Sequence, residues 1–475
     1  MYYRLAEPYA FRGFEGLPYA VRAERGEHAG ERAMFFGKGA FLDLLLCDGQ
    51  HDVDLQALSE DGRKAYERLL GAEALVSGED PLDPPESYQR YRIYPCRHIE
   101  SVHWSITGRC NYNCRHCLVS APGNHQPQPT LDECLATVAE LRRCGVIKVD
   151  VTGGEPFVRR DWERVFRALS DAHIRIGQVF TNASMLDDHV LDVLEECGQR
   201  PAFQISFDGT GHHDWFRGVP DAEARAIAGF ELLRRRGFRA SAAMSLYRGN
   251  RDCLRETANL LAGLGASLLM VSTPQEFGVW REQARENALT FDETWEVYRA
   301  FIPQWYADGC PLDIHLEGYF SCRRESPRDY GMTFVHHAPE GADWARMHKC
   351  ETVQRNLFLG PDGRVNPCMA FSDTAIAKGF PGIFGRTLPE ALSDSHYRGV
   401  IDTTMADYLA AQPKCAACPH LNECGGGCLV ECIDDDGNFL VPDERVCHFF
   451  RCVGEAAVRE VADAAIQEYL PTETA

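Results

Sequence analysis

Cys110-Asn-Tyr-Asn-Cys114-Arg-His-Cys117 decides how the rest of the chain is read. It follows the alternating run Ser101 to Ile106 and places three thiols within eight residues. Three thiolates on a short loop can hold three corners of an iron–sulfur cube and leave the fourth iron open to another ligand. A tetrahedral zinc site more often shows paired C-x-x-C units with matched partners. In a chain of 20 cysteines the triplet alone does not separate these readings. Its neighbours do.

From about 98 to 310 the pattern predicts strands at 101–107, 147–152, 176–181, 202–207, 239–246 and 268–273. Amphipathic stretches follow near 130–144, 160–172, 187–197, 221–236, 251–264 and 291–307. Such alternation predicts parallel β/α units. Six of them close most of a barrel, an α/β architecture whose chemistry sits on loops at the C-terminal strand ends. The motifs of this region fall at those ends. After the second strand comes Thr152-Gly153-Gly154-Glu155-Pro156, where two glycines let backbone approach a ligand and Glu155 offers an acceptor for an ammonium group. Thr181-Asn182 ends the third strand, and Ser206-Phe-Asp208-Gly209 ends the fourth, ahead of His212-His213-Asp214-Trp-Phe-Arg217. Asp208 is open between a turn residue and a catalytic one; His212 and His213 read as a solvated loop.

A C-x3-C-x2-C loop with Gly-Gly-Glu-Pro one β/α unit later resembles the radical S-adenosylmethionine (SAM) superfamily. The resemblance implies that Cys110, Cys114 and Cys117 hold a [4Fe–4S] cluster whose open iron binds SAM. It implies SAM contacts from Gly153, Gly154, Glu155, Pro156, Asn182, Ser206 and Arg217. His116 departs from the family's usual aromatic residue beside the adenine, but its imidazole is planar.

Residues 350–452 hold nine cysteines, with turn signals such as Gly360-Pro-Asp-Gly363 between Asn356-Leu-Phe-Leu and Arg364-Val, which predict a hairpin. Continuous apolar periodicity is too sparse for a large core, so metal clusters would supply the cross-links. Cys350 is followed by twelve residues, Gly363, four residues and Cys368. Cys415-Ala-Ala-Cys418 is followed after five residues by Cys424, after three more by Cys428, and after eighteen by Cys447. This spacing resembles the SPASM extension of radical SAM peptide-modifying enzymes. The resemblance implies two auxiliary [4Fe–4S] clusters, three clusters in all: Cys415, Cys418, Cys424 and Cys447 on one, Cys350, Cys368 and Cys428 on the other. Cys322 is a candidate fourth ligand or catalytic thiol, ahead of Cys432 and Cys452, and an iron left open is the other alternative. Cysteines on predicted helices, such as Cys134, Cys144 and Cys197, read as small hydrophobes.

The proline-rich Asp80-Pro-Leu-Asp-Pro-Pro-Glu86 marks a boundary. The division expected is 1–95, 96–310 for the barrel, 311–349 as a bridge, 350–452 for the cysteine-rich domain and 453–475 for a terminal helix. In the first unit Phe41 to Gly49 reads as a helix stopped at glycine, and Leu55 to Leu75 as further helices. Tyr19 to Val21 and Ala33 to Phe36 read as short strands. This outline resembles a winged-helix peptide-recognition element, which binds the leader of a ribosomally made precursor as an added edge strand.

Net charge −21 disfavours nucleic acid, which needs a surplus of Lys and Arg on one face. Arg234-Arg235-Arg236 reads as a solvated helix end. No apolar run reaches the roughly 20 residues that span a bilayer, and no signal peptide is read, so no membrane partner and a cytoplasmic protein are expected. The resemblance implies an oxidoreductase that takes an electron from ferredoxin or flavodoxin and cleaves SAM. The resulting 5′-deoxyadenosyl radical would modify a precursor peptide, foremost by oxidative thioether or carbon–carbon cross-linking. Anaerobic sulfatase maturases and peptide epimerases are the alternatives, and a non-catalytic cluster-bearing scaffold is a third. Sulfatase maturases carry a catalytic aspartate directly after the hairpin cysteine, where this chain has Met369.

Overall fold

Short strands and two helices build the first 93 residues in the computed structural model, which describes residues 1–25, 33–117, 126–274, 278–336, 343–434 and 436–470. Residues 337–342 of the expected bridge and the last five of the terminal segment lie outside these. The strands are β1 (Tyr2–Leu5), β2 (Tyr9–Phe14), β3 (Leu17–Ala23), β4 (Met34–Phe35), β5 (Asp48–Asp52), β6 (Leu75–Gly78) and β7 (Arg92–Ile93). They form a sheet of order β5-β1-β6 and another of order β4-β3-β2-β7. Helices α1 (Lys38–Leu44) and α2 (Glu60–Gly71) lie between strands, the second started by Ser59, whose hydroxyl accepts the Gly62 N–H at 3.0 Å. Tyr3, Leu5, Phe11, Phe41, Tyr66 and Leu69 share a core of their own. Gly49 does not stop a helix: α1 ends at Leu44, and Gly49, at φ 78°, lies within β5.

A buried ion network joins this unit to the barrel. Glu24 accepts from Arg22 Nε at 2.9 Å and faces Arg12 Nε at 3.0 Å, all three side chains being buried. Arg22 also donates to the Gly145 carbonyl across the seam at 2.9 Å. Burial alone would raise the Glu24 pKa, but the two guanidiniums outweigh it and hold the carboxyl below its usual range.

Among the described residues the main sheet has eleven strands. β8 (Ser101–Ser105), β9 (Lys148–Thr152), β10 (Arg175–Thr181), β11 (Ala202–Ser206), β12 (Ala240–Ser245) and β13 (Leu268–Ser272) run parallel in chain order. Between and after them come α3 (Leu131–Arg143), α4 (Trp162–Asp171), α5 (Asp188–Glu196), α6 (His213–Arg217), α7 (Ala222–Arg236), α8 (Leu254–Gly263), α9 (Gly278–Gln283) and α10 (Phe291–Ala307). Alternation explains the layering. Val149 and Val151 are fully buried in the core with Leu141, Val165 and Phe166, while Lys148, Asp150 and Thr152 line cavities on the other face.

The sheet extends beyond the six expected strands. β14 (Asp313–Leu316) adds in parallel to β13, followed by antiparallel β15 (Phe320–Cys322) and β16 (Tyr330–Gly331). At the other edge β17 (Asn356–Leu359) pairs in parallel with β8, Asn356 opposite Ser101 and Leu359 opposite Trp104. β17 and β18 (Val365–Asn366) form the expected hairpin, so the cysteine-rich segment begins as part of the barrel sheet. The C-terminal helix, Gly454–Tyr469, packs against α10. Among the described residues no helix is long and apolar enough to cross a membrane.

Candidate active site

The Cys110–Cys117 loop and its approach are clamped on one side by the segment after β9 and on the other by α6. Gly154 and Glu155 donate backbone N–H groups to the carbonyls of Thr107 and Arg109, each at 2.9 Å. From the other side the carbonyls of Arg217 and Phe216 accept from Asn113 and Arg115, each at 3.1 Å. Glycine is required at two of these contacts. A Cβ at Gly154 would collide with the Arg109 carbonyl, and one at Gly218, at φ 69°, with that of Asn113. Asn182 donates to Asn111 Oδ1 at 3.0 Å, with its amide 4.0 Å from Cys110 Sγ. The Tyr112 N–H lies 3.4 Å from the same sulfur.

The three thiols line one cavity of about 170 Å³, together with Gly153, Gly154, Asn182, Ser206 and Arg217. Burial pushes the Cys110 thiol up to about 12, with the charges of Glu155, Cys114 and Cys117 adding to it. Burial also raises Cys114, against the pull of Arg217, whose Nη1 is 3.8 Å from its sulfur. Among the described residues no three Cys, His, Asp or Glu groups converge as a single-ion site requires. Three thiols lining one cavity are the donor type that an iron–sulfur group takes. His116 shares the cavity and stacks on Phe216, ring centroids 4.1 Å apart. Phe216 in turn stacks on Tyr247 at 4.8 Å.

Two expected contacts lie elsewhere. Glu155 and Pro156 do not line the cavity; both are buried beneath it. The Glu155 carboxylate accepts from Thr181 Oγ1 at 2.9 and 3.0 Å and from the Asn182 N–H at 2.8 Å. Burial raises its pKa to about 7 despite those donors. Its place is that of a strut between the ends of β9 and β10. Asp208 is likewise fully buried and outside the cavity, so a direct catalytic role does not fit its position. Its carboxylate takes Arg217 Nε at 2.7 Å and Nη2 at 3.1 Å. His213, expected in a solvated loop, is fully buried with Nδ1 2.9 Å from Asp208 Oδ2. Arg234 to Arg236 do end a helix, and Arg236 pairs with Asp188, Asp192 and Glu195.

Sequence reasoning assigned no contact to five lining residues: Tyr112, Thr152, Phe180, Thr181 and Met369. Thr152 and Phe180 follow the inward alternation of β9 and β10. Met369 had a signal in its position after Cys368, and it brings the hairpin end over the cavity.

Several of the later cysteines lie near enough for their charges to act on one another. After burial, the charges of Cys428 and Cys350 raise Cys368 to about 12. Cys418 and Cys415 act on Cys424, and Cys415 and Cys424 on Cys447. Cys350 and Cys428 border a cavity of about 500 Å³ with Phe334, Trp344, His348 and Arg445. Cys322 does not join them. It is buried in β15, its thiol turned to the Pro327 carbonyl at 3.5 Å and to Tyr306. Cys432 is buried against the Gly426 carbonyl at 3.6 Å, and Cys452 is exposed. Cys134 and Cys144 are buried in the barrel core.

Residues 104–261 match the family described as the Radical SAM superfamily. The AdoMet-dependent heme synthase of Methanosarcina barkeri is 31% identical over 168 residues, 35% of this chain and about half (48%) of that relative. The mycofactocin maturase MftC of Mycolicibacterium smegmatis is 28% identical over 372 residues, 72% of this chain and 85% of that protein. Streptococcus suis SuiB bound to its precursor peptide SuiA shares the fold, with a TM-score of 0.64 at 14% identity, covering 92% of this chain and 99% of that one.

Proposed function

We propose that this chain, which carries a radical SAM domain, is a maturase that oxidatively cross-links side chains of a ribosomally made precursor peptide through a thioether or carbon–carbon bond. The observation that carries the reading is the single cavity bringing together three thiols, the Gly153-Gly154 backbone, Asn182, Ser206 and Arg217. Cys110, Cys114 and Cys117 would hold a [4Fe–4S] cluster, and the SAM bound beside it would supply a 5′-deoxyadenosyl radical that abstracts hydrogen from the substrate. Gly153 and Gly154 leave room for close backbone approach. Arg217 presents a fixed cation suited to a carboxylate, and Ser206 and Asn182 present polar groups suited to an amino acid or ribose. The Cys350 and Cys415 groups would each hold an auxiliary cluster, and ferredoxin or flavodoxin would deliver the electron.

A peptide substrate is favoured by the first unit. Of eleven large hydrophobic side chains exposed in the described residues, seven fall within residues 1–93: Met1, Leu17, Leu42, Leu45, Val76, Tyr91 and Ile93. Val76 and Ile93 lie on the edge strands β6 and β7, where an extended leader could add as a further strand. Met369 at the cavity speaks against sulfatase-type oxidation, since a thioether cannot take a proton as a carboxylate does. The test is co-expression with short reading frames adjacent to the gene, followed by tandem mass spectrometry. A product lighter by one hydrogen pair per event, with the loss mapped to a bond between two residues, is expected. An unchanged mass with inverted stereochemistry would assign epimerisation instead. Conversion of a porphyrin substrate with no peptide product would overturn the reading.

A further inference from the structure

Arg217 reaches the thiol cavity with two of its three nitrogens already committed. Nε and Nη2 form a fork on Asp208, at 2.7 and 3.1 Å, and Nη1 is left facing Cys114 Sγ at 3.8 Å. Asp208 is itself held from every side. Its Oδ1 accepts the Ser245 N–H at 2.9 Å, its main-chain carbonyl accepts Asn250 Nδ2 at 2.9 Å, and His213 Nδ1 stands 2.9 Å from Oδ2, to which it donates when protonated, and 3.0 Å from the Asp208 N–H, which it accepts when not. His213 is fully buried, its ring stacked on Phe207 with centroids 5.3 Å apart. Its Nε2 has no hydrogen-bond partner among the described residues. An imidazole buried with one nitrogen unmatched costs free energy, so its place has to be accounted for by the carboxylate that it touches. A carboxylate gripped on both oxygens cannot rotate, and a bidentate fork passes that plane on to the guanidinium.

We infer that Asp208 and His213 are positioning residues that act through Arg217, fixing its plane so that Nη1 faces the cavity where the methionyl carboxylate of SAM would bind. The inference rests on the function proposed above but not on the peptide or the bond made. Asp208 is not a catalytic residue in this account, because it touches neither the thiols nor the cavity. Its negative charge also balances the buried guanidinium, which would otherwise stand unpaired beside Cys114.

The test is calorimetric titration of SAM into the anaerobic, cluster-loaded enzyme without a reductant, so that no bond is broken during the measurement. Asp208→Asn should weaken SAM binding by about ten- to a hundredfold, the usual scale for an outer partner of a ligand-binding side chain. His213→Phe, which keeps the Asp208–Arg217 fork, should weaken it by less. The deciding measurement is the pairing with Arg217→Ala: once Arg217 is gone, neither change should weaken binding further. Losses that add in that background, or an Asp208→Asn enzyme that binds SAM as the parent does, would overturn the inference and leave the proposed function standing. If the unmutated enzyme fails to bind SAM, the proposed function itself falls. Iron content and melting temperature identify any variant that fails to fold; His213→Phe then carries the same comparison.

Discussion

The two cysteine-bearing regions are built on opposite principles. The Cys110–Cys117 loop sits on a finished scaffold: strands β8 to β11 bury one face in the main core, and four backbone hydrogen bonds, two to the segment after β9 and two to α6, hold residues 107–115. The region from Met405 to His448 has helices of only four to seven residues. Gly425, Gly426 and Gly427 all take positive φ there, and apart from Leu429, Val430 and Val446, which reach the main core, the local core is Met405, Tyr408 and Cys432 with a few half-buried neighbours. One region can hold its shape before any metal arrives. In the other, metal–thiolate bonds would be the main cross-links, and their free energy would be folding free energy.

The sharpest way to break this contrast is to remove thiols from each region. Replacing Cys110, Cys114 and Cys117 with Ala should abolish 5′-deoxyadenosine formation, read by chromatography, while the melting temperature of the barrel changes by no more than about 2 °C. Replacing Cys415, Cys418, Cys424 and Cys447 should also make residues 405–448 susceptible to protease. If the first variant melts as early as the second, the loop is not pre-built. Next in size is iron chelation of the intact protein. Amide exchange in residues 413–447 should rise by about tenfold or more, with β8 and β9 unchanged within error. Equal increases in both would erase the distinction.

The same contrast explains what could be read in the sequence. Strands such as Lys148-Val-Asp-Val-Thr152 announce themselves, because one face must be apolar and the other must line a polar interior. The Cys110 loop and Gly153-Gly154 are also legible, being short motifs fixed by local spacing. The recruitment of β14 and β17 to the sheet was not legible, because parallel pairing of Asn356 with Ser101 depends on partners far apart in the chain. The burial of Glu155, Asp208 and His213 was hidden for another reason. Glu155 at a strand end reads as a ligand contact, Asp208 as a turn or catalytic residue and His213 as part of a solvated loop, and nothing local shows that Thr181 and Arg217 claim the two carboxylates.

Glu155 offers a finer probe of the pre-built side. Burial raises its folded pKa to about 7 from 4.5, so the folded state binds more protons than the unfolded one between those values. Stability is therefore highest below the lower value and falls as pH rises through the window. From pH 5 to 8 the strut should cost the iron-free protein about 2 kcal/mol, measured by denaturant unfolding, and Glu155→Gln should abolish that slope. A wild-type curve as flat as the variant's would mean that Glu155 is solvated and does not brace β9 against β10.

The smallest expected effect lies at the seam between the first unit and the barrel, which belongs with the pre-built side. His98 is buried between Phe14 and Phe35, ring centroids 4.7 and 5.3 Å away, and its Nδ1 has no partner among the described residues. Burial, with Arg22 and Arg355 nearby, lowers its pKa to about 3. Here the unfolded chain binds the proton first, near pH 6.5, so stability is complete above that value and is lost as pH falls towards 3. Between pH 7.5 and 5.5 the loss should be about 1 kcal/mol, and His98→Phe should remove it. Because the ring bridges β2, β4 and the segment entering β8, the loss should appear as exchange in Tyr9–Phe14 and Ser101–Ser105 together. Exchange that rises in the first alone would mean that the first unit opens independently of the barrel, and that the rigid side of the comparison ends at β8.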